Sequence, residues 1–415
     1  MAHNHSIHIL GTIPSAPDSI ALLTQIQIAD ICIFTFFMTL GILRVFLFPQ
    51  VAKNVLQDFS QTSYLGAIVV AFETIILGIV SFYSHHPSAM YVAEAMFWIA
   101  MAMSCFVAFG GLFIMYERQP QHSFNDLNGA WFLTFIPLIV DSTVGGAISP
   151  YLAYKNSITV LVISFLMWSV GVGMSLVILS LYIWRLMSCS LPPRVAIIST
   201  FVPVGPFGMG AYSIQQLAVG LASQVREQRF TLTRPPLPPS DAATMATIAE
   251  GIHWAGIIIA LFQLGIASFL LVEACFSIYA RVPKKFNVGY WSFVFPCGVY
   301  ANAWNEMSQD IRSSGMKGWG ATCSTAVVML WLFCALMSFY KGVWQGKLFF
   351  APGLQGWLEQ QEVEKRMKTE TKPEDSNDAP DRDGKDLGYS LSRQPQSDGS
   401  YKCERRKTAN GDRNV

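Results

Sequence analysis

The chain has 415 residues, of which 52% are hydrophobic and 13% charged, with a net charge of +1. Soluble domains carry about 25% charged residues, so this composition excludes an ordinary globular fold and points to a helical membrane protein. That net charge argues neither for nor against nucleic acid, and no stretch resembles a basic binding surface. The eight cysteines are scattered with no pair at metal-ligand spacing, so no metal or cofactor is expected.

Residues 1–25 read as an N-terminal tail. It holds His3, His5 and His8, and it is too polar for a signal peptide. Nine apolar segments follow, over residues 26–48, 64–84, 90–116, 131–152, 158–186, 195–222, 252–280, 288–305 and 319–350. Each approaches or exceeds the roughly twenty residues that cross a bilayer. They make 26–350 one all-α, polytopic membrane domain. Residues 351–415 mix Lys, Arg, Glu and Asp with few large apolar side chains and are expected to be a disordered tail.

The segments alternate in kind. The odd ones are long, free of proline and nearly free of charge away from their ends; Glu94 and Glu273 on them read as interfacial or packing residues. The even ones hold the breakers and the buried charge: Gly66 and Glu73 on the second, and Pro137, Asp141, Gly145 and Gly146 on the fourth. The sixth carries Pro203, Gly205, Pro206, Gly208 and Gly210, and the eighth Pro296 and Gly298. Such residues are tolerated away from lipid, against protein or a cavity. The pattern predicts an inner ring of kinked even helices around a pore, inside an outer ring of odd ones. Phe295 directly precedes the Pro296 kink, where a ring can plug a narrow passage. The alternative is an aromatic packed beside a structural kink.

A small anion at lipid depth needs backbone dipoles, hydroxyls and amides in place of water. Ser142, Thr143, Gly205, Gly208, Tyr212, Ser213, Ser292 and Pro296 are the candidate pore-lining positions of this kind. For any single hydroxyl, a bond to its own helix is the favoured alternative. Glu73 and Asp141 join the candidates with a different role. Ionised, they would repel an anion; protonated, either suits a proton-coupled transporter. The bland alternative is a bond to a neighbouring helix. No triad-like or nucleotide-binding pattern is present, so no enzyme is expected. Loop charge nearly ties, and the charge-rich tail places the C-terminus in the cytosol.

Four pieces carry a family likeness: Tyr64-Leu65-Gly66-Ala67, Phe135-Ile136-Pro137-Leu138 with Gly145-Gly146, Gly205-Pro206-Phe207-Gly208 through Tyr212, and Phe286-Asn287-Val288 through Trp291 to Phe295-Pro296. On these the chain resembles the tellurite-resistance/dicarboxylate transporter family. That family includes the slow-type anion channels, the malate permeases and the fungal sulfite efflux pumps, and the likeness is strongest to the last. The resemblance implies ten helices in five hairpins, a narrow pore, often a homotrimer, and Phe295 as the aromatic gate. It implies sulfite efflux across the plasma membrane, with malate or another C4-dicarboxylate as the alternative cargo. Nine spans are read where the family has ten. The first inner helix is therefore expected to be missing, through a late gene start or a true truncation, and a truncated, non-transporting relative is a further alternative.

Overall fold

The computed structural model describes residues 17–120, 123–194, 196–227, 242–283 and 286–345. His3, His5 and His8 and the tail expected from 351 onward lie outside them. Among the described residues all regular structure is helical. α1 spans Pro17–Leu47, α2 Pro49–Gln57 and α3 Phe59–Tyr83. α4 (Pro87–Cys105) runs through a π turn into α5 (Leu112–Glu117). α6 spans Ile136–Ile148, α7 Tyr154–Cys189, α8 Val204–Arg226, α9 Ala242–Ala280, α10 Val294–Ile311 and α11 Ser314–Phe339. Helix α1 starts inside the stretch read as tail, because Pro17 and Asp18 suit a first helical turn. Helix α9 starts ahead of residue 252 because its run of alanines favours helix.

Among the described residues eight segments are long and apolar enough to cross a membrane. Helix α10 is not among them. Asn302, Asn305, Glu306 and Asp310 dilute its 18 residues, and the same polar residues later define the site.

By burial the fourth and sixth segments are inner, while the second, at 33%, matches the odd third and fifth. Most of 129–151 and of 197–226 is buried, 89% of each apolar window, against 6% for 314–342. Helix α3 packs on α6, α6 on α8, and α8 on α10. Outer helices α4, α7, α9 and α11 each lie against the inner helix of their own hairpin, and three reach the next inner helix as well: α4 on α3 and α6, α7 on α6 and α8, α9 on α8 and more lightly α10, and α11 on α10; α1 packs on α3. Among the described residues the inner helices form an arc rather than the expected closed ring, because α3 and α10 make no substantial contact. Outward faces are apolar, with Phe37, Phe46, Trp184, Phe262 and Leu336 exposed, as a lipid-facing surface requires.

Close backbone approach joins the inner helices. A Cβ on Gly146 of α6 would stand 2.8 Å from the backbone of Gln216 and Leu217 on α8. One on Gly66 of α3 would strike the carbonyl of Leu133. Around these contacts Phe132, Phe207, Ile136, Leu138, Ile139 and Leu217 fill the core with almost no exposure. A side chain at residue 146 must push α6 from α8. Gly146→Val is expected to cost about 1–3 kcal/mol, read as a lower thermal midpoint of the purified protein in detergent. An unchanged midpoint would mean that the two helices separate freely.

The role expected of the prolines is corrected. Pro137, Pro206 and Pro296 do not kink continuous helices. They sit in the first turns of α6, α8 and α10, each entered from a 3₁₀ turn: Gly129–Thr134, Ile197–Phe201 and Val288–Phe293. Proline lacks the N–H that a first turn leaves unpaired in any case. These three inner crossings are therefore broken in two at a proline, whereas α3 is one continuous helix.

Candidate anion path

These breaks bring three helix starts together. A Cβ on Gly205, in the first turn of α8, would lie 3.4 Å from the Phe295 ring and 3.6 Å from Ile136 Cδ1. Ile136 opens α6 and Phe295 is the second residue of α10. None of the three N-termini has a side-chain cap. A helix start carries about half a positive charge from its aligned peptide dipoles, although here Gly205 N–H donates to Val202 O at 2.9 Å and Val294 N–H to Trp291 O in the preceding 3₁₀ turns. Three such ends at one level suit an anion and repel a cation. The Phe295 ring is part-buried at that level, with Gly205 supplying the space beside it.

Helices α8 and α10 then run parallel from this level with a constant offset. Gly205 faces Phe295. Farther along, Gln216 Nε2 donates to Glu306 Oε1 at 3.2 Å across a sequence separation of 90. On α8, Gly205, Tyr212 and Gln216 stand at i, i+7 and i+11, and on α10 Phe295, Asn302 and Glu306 repeat that spacing. At 100° per residue each trio falls on one stripe. Two facing stripes thus lead from Phe295 toward the ends of α8 and α10. There His253 of α9 meets Asp310 Oδ1 at 3.0 Å. Sequence reasoning passed over Glu306, Gln216, Asp310 and His253 as site residues. The repeated i, i+7, i+11 spacing on two breaker-rich segments was the available signal.

The other candidates are placed as follows. Thr143 and Ser213 bond each other between α6 and α8, and Ser213 donates to the Ile139 carbonyl at 2.8 Å. Ser142 is fully buried and bonds its own helix at Ile139 O, 2.6 Å away. Gly208 lets α10 approach, since its Cβ would lie 3.0 Å from Tyr300 N. Ser292 lies in the 3₁₀ turn that leads into α10, and Pro296 is buried just inside that helix.

Glu73 and Asp141 are brought together, but away from the stripes. Glu73 Oε1 accepts from Ser104 of α4 at 2.7 Å. Asp141 lies toward the same helix, close enough to Glu73 and to Cys105 to interact electrostatically. Both are wholly buried, and Glu73 Oε2 and both Asp141 oxygens have no hydrogen-bond partner. A side chain on an inner helix can face either layer, and these two face the outer one.

Broken inner helices, electropositive ends at one depth and a lipid-facing shell define a multi-span membrane protein that passes anions. Residues 17–339 match the voltage-dependent anion channel family, and the chain belongs to that family. It is similar to the sulfite efflux pump SSU1 of Arthroderma otae, at 29% identity over 76% of this chain and 80% of that protein. The sulfite efflux pump of Trichophyton rubrum stands at 29% with the same coverage. The malic acid transport protein of Schizosaccharomyces pombe stands at 20% over 74% of this chain and 68% of that protein.

Proposed function

We propose that this chain exports sulfite across the plasma membrane, along the α8–α10 stripes and past Phe295. The observation that supports it most is the meeting of three uncapped helix starts at the Phe295 ring. The positive ends of the helix dipoles there favour a small oxyanion over a cation. The names of the similar fungal pumps point to sulfite as the cargo. In this reading Phe295 is the gate, Gly205, Tyr212 and the Thr143–Ser213 pair line or support the path, the C-terminus is cytosolic, and the protein assembles as a homotrimer.

Expression in a host that lacks its own sulfite exporter is expected to restore growth on sulfite. Unchanged sensitivity with the protein at the cell surface would overturn the reading. Malate is the second cargo, supported by the similarity to the malic acid transport protein. Paired flux measurements in vesicles decide between them: sulfite-selective flux supports the first reading, malate-selective flux the second.

A further inference from the structure

Glu306 is the one carboxylate on the α10 stripe that begins at Phe295. Eleven residues at 1.5 Å each put it about 16 Å farther along the helix axis, near the mouth where α8 and α10 end. Its surroundings are specific. Gln216 of α8 donates its amide to Oε1 at 3.2 Å. Tyr212 stands one turn before Gln216 on the same stripe and interacts with Glu306. His253 of α9 and Asp310, one turn along α10, are its titratable neighbours. Those two bond each other at 3.0 Å, and Arg226 at the end of α8 acts on His253. Helix α11 meets this part of α10 through Ser324, which accepts from Asn305 at 2.8 Å. Asp310 therefore has a possible cation beside it, while the hydrogen-bond partner of Glu306 is a neutral amide.

We propose that Glu306 is a titratable charge filter in the anion path, closed to anions when ionised and open when protonated. This rests on the transport reading above and adds to it a second control point, separate from the Phe295 ring. The physical reason is simple. A negative charge on a narrow, poorly hydrated path repels an anion strongly, because little water is present to screen it. A neutral carboxyl in the same position offers a hydrogen-bond donor instead. The Gln216 amide donates to the carboxylate and so favours the ionised, closed form. His253 and Asp310, at the mouth, are placed to pass protons between solvent and Glu306.

The test uses the full chain in reconstituted vesicles. Nitrate serves as the probe, because its charge does not change between about pH 5 and 8, where sulfite and histidine both titrate. Parent flux is expected to rise about tenfold on acidification across that range, the size of a barrier change equal to one pK unit. Glu306→Gln is expected to hold flux at the parent's acid level at every pH. Gln216→Met keeps the shape but removes the amide, and is expected to move the parent's flux curve to higher pH.

A Glu306→Gln protein that keeps the parent's pH profile would overturn the proposal. So would parent flux that does not depend on pH. If Glu306→Gln does not accumulate, Gln216→Met decides alone, and an unmoved curve overturns the proposal. A parent that passes no anion at any pH overturns the transport reading and this inference with it. PH-independent flux overturns the inference only.

Discussion

Phe295→Ala is expected to raise anion conductance by about tenfold or more, with protein abundance close to the parent's. The ring stands where the first turns of α6, α8 and α10 meet, against Gly205 and Ile136. It is part-buried rather than enclosed, so its removal opens space on the path instead of a sealed cavity. Water entering that space, beside the positive ends of the helix dipoles, would lower the barrier to anions. An enclosed phenylalanine behaves differently, costing about 3–5 kcal/mol on truncation and leaving an unstable protein. Single-channel or vesicle flux measurements, read beside expression level, separate the two cases. A stable variant with parent conductance, or a variant that fails to fold, would remove Phe295 from the role of gate.

Glu73→Ala is expected to sharply lower the amount of folded protein, while Glu73→Gln keeps it. Glu73 is fully buried and accepts a hydrogen bond from Ser104 of α4. Alanine leaves the Ser104 hydroxyl without that acceptor and adds a cavity between α3 and α4. Together these cost about 3 kcal/mol or more, a large part of the net stability of most domains. Glutamine keeps an acceptor for Ser104 and offers N–H groups toward Asp141, whose two oxygens have no partner. Its anion flux is expected to retain the parent's response to pH, since the side chain faces the outer layer. Loss of that response in a well-folded Glu73→Gln protein would return Glu73 to a coupling role.

The class of fold was legible in the sequence. Nine apolar segments, with prolines, glycines and carboxylates on alternate ones, separated inner from outer helices, because lipid accepts neither broken backbone nor charge. The part played by the prolines was not legible. A proline inside an apolar run reads as a kink, whereas Pro137, Pro206 and Pro296 start new helices after 3₁₀ turns. Sequence sets the fixed φ of a proline; only the path of the chain before it shows whether the helix bends there or begins there.

The sites divide in the same way. By itself the sequence determined which segments carry polar and breaker residues, and placed Phe295 beside a break. It could not tell which side of α3 and α6 faces the path. Both helices are apolar nearly all round, so Glu73 and Asp141 could have faced either layer, and packing turned them toward α4. Glu306 was hidden for the opposite reason. At the end of an apolar run it reads as a boundary residue, and only the parallel packing of α8 and α10 sets it opposite Gln216 and in line with Phe295. Hydrophobic pattern is a property of each helix alone and survives in the sequence. Register between helices comes from contacts between residues distant in the chain, such as the touching backbones at Gly146 and Gln216, and tertiary structure alone decides it.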